Sequence, residues 1–353
     1  MAMKEINYKQ FETLNLPNEI INMLSMIHEY KGKQELFLET KPEVLEKLVE
    51  IAKIQSTDSS NRIEGINTSD SRFKALMTNK IKPQNRAEEE ISGYRYVLDT
   101  IHNAYENIPI TKNVILELHR DLYSFSASRL GGRFKITDNY IEEADEKGNT
   151  FIRFQPIPAF QTSDYMNSLV NNFKEELGKG IVDPLILIPC FILDFLCIHP
   201  FNDGNGRMSR LLTLLLLYQN NYAVGKYISI ETIIEKTKSS YYDSLQDSSI
   251  DWHENKNNYL PFIRYMLGVI LKAYKDFEDR YNVLLLEKVK PAKRVFDVIS
   301  NSHSPLSKVE IMNLCPEISK RTIERAIIVL QNDDKIKKVG EGKLTTYALK
   351  NSK

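Results

Sequence analysis

Two apolar segments joined by a short polar loop constrain this fold most strongly. The segments "PLILIPCFILDFLCI" (184–198) and "RMSRLLTLLLLY" (207–218) are rich in apolar residues over helical lengths, whereas "HPFNDGNG" between them is polar. The first contains two prolines and Asp194 and is too short to span a bilayer, so a buried helix is expected. Because His199 precedes Pro200, that helix should end there. The sequence therefore predicts two helices connected by a polar loop.

Charge is distributed unevenly along the chain. The 353 residues carry 47 Lys and Arg against 47 Asp and Glu, which gives a net charge of zero. Residues 288–353 carry 14 basic and 7 acidic side chains, so this tail has a charge of +7 and the rest of the chain −7. The asymmetry predicts an anionic partner for the tail. Length and the hydrophobic content of 42% indicate a globular protein of two or three domains.

The cysteines and the N-terminal sequence indicate the cellular compartment in which the protein is expected. The three cysteines show no paired metal-type spacing, and Cys190 and Cys197 lie in an apolar run, as buried thiols of a reducing cytosol would. The N-terminus "MAMKEINYKQFETL" has no apolar core of a signal peptide. A cytoplasmic location without membrane attachment is therefore expected.

Periodicity divides the chain into three regions: 1–90, 91–285 and 288–353. The first is polar and helical in pattern, with apolar residues at helical spacing in "KPEVLEKLVEIAKIQS", namely Val44, Leu45, Leu48, Ile51 and Ala52. The second contains long helical patterns interrupted by one predicted β-hairpin at 137–156, with a turn at 146–149. A mostly α protein with a small hairpin is predicted.

The third region has the layout of a winged helix-turn-helix domain. Apolar residues at helical spacing predict three short helices, and two strand-like runs flank Gly340 to Gly342. The apolar positions are Val295, Phe296, Ile299, Ile311, Leu314, Ile323, Ala326, Ile327 and Leu330. Lys320, Arg321, Thr322 and Arg325 lie where a recognition helix meets DNA, and the lysines at 335, 337, 338 and 343 suit phosphate contacts. The alternative is a module for protein contacts or dimerisation with solvated lysines.

The loop "HPFNDGNGRMSR" (199–210) combines groups that suit a polyphosphate. Gly204 and Gly206 leave backbone N–H groups accessible before a helix N-terminus, which attracts anions. Arg207 and Arg210 are expected in the first turn, where a cation is unfavourable by roughly 0.3–1 kcal/mol, so a strong anion should offset that cost.

An acid and a histidine complete this loop. Asp203 would repel an anion unless Mg²⁺ bridges carboxylate and phosphate. His199 can accept a proton from a hydroxyl that attacks phosphorus. The sequence therefore predicts a site for a metal-bound triphosphate with a general base.

Residues 199–210 resemble the motif HPFx(D/E)GNGRxxR of Fic domain proteins and match it at every fixed position. Members of this family are typically helical, and most transfer AMP from ATP to a Ser, Thr or Tyr hydroxyl of a protein. The resemblance covers most of the chain and implies a Fic-type helical core. It also implies a protein adenylyltransferase that uses ATP and Mg²⁺ (or Mn²⁺).

The resemblance assigns roles to individual residues. It implies that His199 is the general base and Asp203 the metal ligand. Gly204, Asn205 and Gly206 would form the phosphate loop, with Arg207 at the α- and β-phosphates and Arg210 at the γ-phosphate. The hairpin would be the flap that pairs with a target segment. Further predicted nucleotide contacts are Met208 and Ser209 in the motif, and Glu235 and Tyr242 in and just before "TKSSYYDSL".

A second motif, "SSNRIEG" (59–65), contains Ser60 and Glu64 on one helix face. Gly65 is a predicted C-terminal cap, so Glu64 lies in a last turn, where an acid opposes the helix dipole. Given the Fic resemblance, SxxxEG is similar to the inhibitory motif (S/T)xxxE(G/N), whose glutamate pairs with the second motif arginine. This similarity implies autoinhibition.

Several functions remain open at this level. The first hypothesis is an autoinhibited adenylyltransferase that modifies a target protein or itself. Enzyme alternatives are removal of AMP, transfer of another nucleotide, or phosphocholine transfer. An alternative from another class is a DNA-binding regulator whose Fic domain serves sensing or assembly.

Overall fold

The computed structural model describes residues 4–40, 42–126, 131–144, 150–286, 291–300, 302, 304–315, 318–340, 342 and 345–350. These residues are mostly helical, with two small antiparallel sheets, which confirms the predicted fold class. The chain divides into two compact units, Met1–Tyr281 and Asn282–Lys353, which are considered separately. Among the described helices, none is both long and apolar enough to cross a membrane.

Helices α1 to α11 precede residue 287. Their bounds are Asn18–Thr40 (α1), Pro42–Ile63 (α2), Asp70–Met77 (α3), Arg86–Ala104 (α4), Lys112–Leu122 (α5), Thr162–Lys179 (α6), Pro184–Ile198 (α7), Asn205–Gln219 (α8), Ile230–Lys236 (α9), Lys238–Ser249 (α10) and Leu260–Leu286 (α11). Short 3₁₀ segments occur at Lys9–Thr13, Tyr105–Asn107, Ala159–Gln161 and Ala223–Lys226.

The two apolar segments form α7 and α8, which pack together in the core of the first unit. Asp183 caps α7 by accepting a hydrogen bond from the Leu185 N–H at 2.8 Å, and Pro184 occupies the first turn, where no amide donor is required. The helix ends at Ile198, and His199 follows in a left-handed conformation, as the His-Pro pair predicts. The buried helix is confirmed.

The predicted inward face of α2 is only partly correct. Leu45, Leu48 and Ala52 are buried, but Ile51 is 43% exposed, and the side chain of Val44 lies outside the described part. Ile51 is one position before Ala52, so it points away from the stripe that packs on the core. The free cysteines Cys190 and Cys197 are buried, as expected.

The predicted hairpin consists of β1 (Ile141–Ala144) and β2 (Thr150–Phe154), which pair antiparallel with Glu142 opposite Ile152. The predicted turn at 146–149 lies outside the described residues. Next to the base of the hairpin, the Asp138 carboxylate accepts a hydrogen bond from the Ala159 N–H at 2.7 Å. The chain segments before and after the hairpin are therefore joined by a hydrogen bond.

The second unit contains α12 (Pro291–Ser300), α13 (Lys308–Leu314), α14 (Lys320–Asn332) and a sheet in the order β3-β5-β4. Its strands are β3 (Leu306–Ser307), β4 (Ile336–Val339) and β5 (Thr346–Leu349). Most predicted apolar positions form its core, but Leu314 is 49% exposed, and β3 was not predicted because two residues leave no periodic pattern. The winged-helix assignment stays a prediction.

Candidate active site

His199 occupies the junction between α7 and the loop that leads into α8. Its backbone is left-handed (φ 49°), and its N–H donates to the Phe195 carbonyl at 2.9 Å. The ring Nδ1 lies 3.2 Å from the carbonyl oxygen of Leu196. Because a carbonyl can only accept, Nδ1 carries the proton and Nε2 is left with its lone pair. The tautomer is the one that a general base needs.

Burial keeps this imidazole neutral. Loss of solvation lowers the pKa of His199 to about 4, and the charge of Lys135 acts in the same direction. The hydrogen bond to Leu196 and the carboxylates of Glu64 and Asp203 oppose the shift. His199 is therefore unprotonated across the physiological pH range.

Polar groups within the loop 199–206 bind one another. The Asn205 amide accepts from the Phe201 N–H at 3.0 Å and donates to the Phe201 carbonyl at 2.8 Å. Gly204 has a φ of 83°, and a β-carbon there would lie 3.0 Å from the Tyr123 hydroxyl. The Asn205 side chain thus shapes the loop from within. Because that side chain is engaged, Asn205 can face a ligand only through its backbone.

His119 supports the loop from α5. Its ring stacks on Phe201 with centroids 3.6 Å apart. Its Nε2 lies 3.1 Å from the Asp203 carbonyl oxygen, whereas Nδ1 accepts from the Gly132 N–H at 3.1 Å. Both nitrogens are used by a neutral ring, and burial lowers the pKa of His119 to about 4.

Arg207 is 1% exposed and bound on one side only. Its Nη2 lies 2.8 Å from the Glu90 carboxylate and 3.0 Å from the Tyr123 hydroxyl. Among the described residues, Nε and Nη1 of this guanidinium have no hydrogen-bond partner. Buried donors are rarely left unpaired in folded proteins, so these two are suited to an incoming anion.

Arg210 turns in a different direction, toward the end of α2. Its Nη2 contacts the Glu64 carboxylate at 2.8 Å and the Ser60 carbonyl at 2.9 Å, and its Nε donates to the Ser60 hydroxyl at 2.8 Å. The side chain is 3% exposed, and the nearby carboxylate raises its pKa against the opposing effect of burial. The structure thus joins the two motifs that the sequence singled out.

The expected position of Arg210 in the helix was wrong. Helix α8 begins at Asn205, with Gly204 as its N-cap, so Arg207 is in the first turn but Arg210 is in the second. The dipole effect decreases within the first turn and does not account for Arg210. The unfavourable contribution at Arg210 is the burial of its charge, and the Glu64 carboxylate compensates for that burial.

Asp203 is bound by a cation that the sequence did not reveal. The Arg86 guanidinium from the start of α4 lies 2.9 Å from Asp203 through Nη2 and 2.6 Å from Glu90 through Nε. The side chain of Arg86 is 72% exposed. A solvent-exposed cation therefore bridges the predicted metal ligand and the carboxylate that pairs with Arg207.

Two cavities meet at this loop. An apolar one of about 520 Å³ is lined by the hairpin, α7 and α10, including Phe154, Leu196, Cys197, Tyr241 and Tyr242. A polar one of about 700 Å³ is lined by the loop, Arg86 and Glu90. Glu64, His199 and Gly206 border both. Together the two cavities offer an apolar part suited to a nucleobase and a polar part suited to phosphates.

The remaining predicted residues are placed as follows. Tyr242 lines the apolar cavity, but Glu235 is half-buried in α9 and borders neither cavity. Met208 is fully buried, and the Ser209 hydroxyl donates to the Gly206 carbonyl at 2.7 Å. The structure thus does not bring the side chains of Met208, Ser209 and Glu235 to the cavities.

The predicted DNA-binding residues lie at the start of α14 in the second unit. Lys320, Arg321 and Arg325 are exposed. The Thr322 hydroxyl lies 2.8 Å from that of Ser319, which caps the helix by accepting from the Thr322 N–H. Thr322 is therefore partly engaged in the cap, whereas the three cations face solvent.

Sequence reasoning missed Arg86, Glu90, His119, Tyr123 and Lys135. These residues lie far from the motif in the chain, and no local spacing marks them. Tyr241 was missed although its neighbour Tyr242 was predicted. Tyr241 lines the apolar cavity, and this position depends on how α10 packs against α7.

Comparison with known families agrees with this geometry. Residues 109–217, which include α5, the hairpin and the entire loop, match the model of the Fic/DOC family. Residues 109–217 therefore correspond to a Fic domain.

The chain is also similar in sequence to proteins named as adenylyltransferases. The chain is 26% identical over 161 residues to protein adenylyltransferase fic-1 of Caenorhabditis elegans, which is 46% of this chain and 27% of that protein. It is 27% identical over 226 residues to protein adenylyltransferase Fic of Aedes aegypti. That alignment covers 61% of this chain and 40% of the mosquito protein. The aligned segments thus span less than half of these relatives.

A solved structure of a Fic family protein from Desulfovibrio desulfuricans has the same fold. It superposes with a TM-score of 0.62 at 18% identity and covers 96% of this chain and 98% of its own. This similarity concerns the fold alone.

Proposed function

We propose that this protein transfers AMP from ATP to a Ser, Thr or Tyr hydroxyl of a target protein or of itself. The observation that carries the proposal is the position of His199, whose Nε2 has no hydrogen-bond partner among the described residues and lies where an apolar cavity meets the phosphate-binding loop. The adenylyltransferase names of the relatives support the same activity.

The chemistry follows from the free lone pair. Nε2 of His199 accepts the proton of the target hydroxyl as its oxygen attacks the α-phosphorus of ATP. The new bond joins that oxygen to phosphorus, the bond to the β-phosphate oxygen breaks, and pyrophosphate leaves. Backbone N–H groups at the start of α8 and the unpaired donors of Arg207 stabilise the negative charge.

The residues present fit a divalent cation shared with the nucleotide. Asp203 borders the polar cavity and is 38% exposed, but the described residues include no group of three or more candidate ligands. Mg²⁺ is commonly held by one or two carboxylates together with substrate phosphates. When bound by Asp203, Mg²⁺ or Mn²⁺ would neutralise phosphate charge.

Glu64 restrains the activity in this proposal. A single guanidinium fork cannot present the same donors to both Glu64 and a γ-phosphate, so ATP must displace the carboxylate or bind unproductively. The proposal is supported by the three contacts of Arg210 with Ser60 and Glu64.

Removal of AMP is a second candidate function. The Glu64 carboxylate is 31% exposed and borders the same cavities as His199, where it can reach a water molecule. Activated by Glu64, such a water would be the nucleophile for hydrolysis of an AMP–protein bond.

The second unit is proposed to bind DNA through the exposed cations of α14, with protein contacts or dimerisation as the alternative. A cytoplasmic location is proposed from the buried free cysteines.

One experiment tests the main proposal. Wild type and Glu64→Gly are incubated with ATP, CTP, GTP and UTP labelled at the α-phosphate, and label on protein is measured. We expect transfer from ATP above the others. Absence of protein-bound label from every nucleotide, in both proteins, would refute transferase activity.

A further inference from the structure

The segment 135–139, here called the clamp, is bonded closely to the catalytic loop. The Lys135 ammonium donates to the Ile198 carbonyl at 3.1 Å, and the Lys135 N–H donates to the Pro200 carbonyl at 2.9 Å. The Asn139 amide donates to the Phe201 carbonyl at 3.0 Å and contacts that of His199 at 3.4 Å. The clamp therefore holds the backbone on both sides of the general base.

Lys135 joins these contacts into one unit. Its ammonium also donates to the Asn139 side-chain oxygen at 2.8 Å, although the residue is only 2% exposed. Among the described residues no carboxylate lies within hydrogen-bonding distance of this buried ammonium, which makes its charge costly. Burial lowers the pKa of Lys135 to about 8, and the nearby charge of Asp138 opposes that shift. The last carbonyls of α7 offset part of that cost, since a helix C-terminus attracts cations.

The clamp leads directly into the hairpin. Asn139 lies two residues before β1, which begins at Ile141, and Asp138 binds the backbone at Ala159 beyond β2. Ile141 and Glu142 border the same cavity as His199. The orientation of the first hairpin strand relative to the imidazole is thus set through five consecutive residues.

Resting on the proposed transferase activity, we propose that Lys135 and Asn139 are positioning residues that hold the hairpin in register with His199. A target segment that pairs with the hairpin then brings its hydroxyl to Nε2. Neither side chain needs to touch the nucleotide.

The charge of Lys135 has a second effect on the same base. It lowers the pKa of His199, whereas Glu64 and Asp203 raise it. The other ionisable groups that border the two cavities with His199 are Arg86, Glu90, Glu142, Arg153, Cys197, Arg207, Arg210, Tyr241 and Tyr242. Removal of the Lys135 cation should therefore raise the pKa of His199, because the protonated ring loses a repulsive neighbour.

The test uses the full chain and two measurements without substrate. Hydrogen exchange of residues 141–144 and 150–154 is compared in wild type and Asn139→Ala, and about tenfold faster exchange is expected from the lost hydrogen bonds. The His199 ring is titrated by NMR in wild type, Lys135→Met and Lys135→Arg, with His199→Asn to assign the signal. The pKa should rise in Lys135→Met and return toward the wild-type value in Lys135→Arg.

A matched control is Lys226→Met, which removes another partly buried ammonium, one that packs on the Tyr105 ring at 4.0 Å. It should leave both measurements unchanged. Unchanged hairpin exchange in Asn139→Ala, or an unchanged His199 pKa in folded Lys135→Met, would overturn the proposal.

Transfer assays separate this proposal from the proposed function. In Lys135→Met and Asn139→Ala, self-modification should fall by up to about 10²-fold, as expected when a reacting group is misplaced by about 1 Å. ATP binding measured by calorimetry should stay as in wild type. If wild type transfers no AMP, the function fails, while exchange and titration still decide the role of the clamp.

Discussion

Glu64 rests against the backbone of Gly206, so closely that a β-carbon on Gly206 would collide with the Glu64 carboxylate oxygen Oε1. The same oxygen is 2.8 Å from Arg210. The carboxylate therefore occupies space next to the loop that a phosphate would need. The competition inferred for the Arg210 guanidinium is also a competition for volume.

Glu64→Gly should raise the rate of AMP transfer. Removal of the carboxylate frees Arg210 and the space beside Gly206, and couplings of this kind are typically about 1–3 kcal/mol, or roughly 5–150-fold. Label incorporation from ATP measures the effect. Glu64→Gly combined with Arg210→Ala should stay slow. A decrease in transfer with Glu64→Gly would favour a role for Glu64 in AMP removal.

His199→Asn should abolish transfer while ATP binding persists. Asparagine tolerates the left-handed backbone at this position better than alanine does, so it removes the base with little strain. A positioned base typically contributes about 10²–10⁴-fold. Transfer rate and ATP affinity are measured in parallel, and a wild-type rate in the variant would exclude His199 as the base.

Arg86→Gln should lower the Mg²⁺ or Mn²⁺ concentration needed for binding. The guanidinium now neutralises Asp203 and Glu90, so a metal ion must compete with it. Mn²⁺ binding in the presence of ATP, followed by electron paramagnetic resonance, reports this directly. Asp203→Ala is the control and should weaken binding. Weaker binding in Arg86→Gln would contradict the competition.

Stability should fall as the pH decreases from about 6.5 to about 4. Burial lowers the pKa of His102 to about 3 and that of His119 and His199 to about 4, so the unfolded chain binds more protons in this window. Each histidine should therefore lower the free energy of unfolding by about 2 kcal/mol between pH 7 and pH 5. Urea unfolding at the two pH values measures the loss. His102→Gln should show a smaller loss, and an equal one would argue against this assignment.

Joint replacement of Lys320, Arg321 and Arg325 by alanine should weaken DNA binding by the second unit. Phosphate contacts release counterions, so the salt dependence should also become shallower. Gel-shift titrations at two salt concentrations measure both. The matched control replaces Lys80, Lys236 and Lys256, which are exposed in the first unit. If the full-length wild type binds no DNA, protein contacts become the better account.

The sequence predicted those parts of the site whose residues are adjacent in the chain. The turn at His199 and the glycines of the loop follow from local backbone preferences. The pairing of Glu64 with Arg210 was predicted from the resemblance of the two motifs to a known inhibitory pair, because Arg210 does not lie in the first turn of α8 and the helix dipole gives no reason for its partner. The Arg86 bridge was not predictable, because an arginine at the start of a helix has no periodic or local mark, and its partners are set only by how α4 packs.

The buried Asp194 on α7 has a consequence for the order in which the site can form. Its carboxylate accepts from Tyr8, 186 residues upstream, and from Trp252 and Tyr259, 58 and 65 residues downstream. Until these donors arrive, a charge in the middle of the core helix is unpaired, which disfavours its burial. We therefore expect that α7 becomes fully buried only after residue 259 has been synthesised, so the proposed AMP transfer has to wait for donors far along the chain from the catalytic loop.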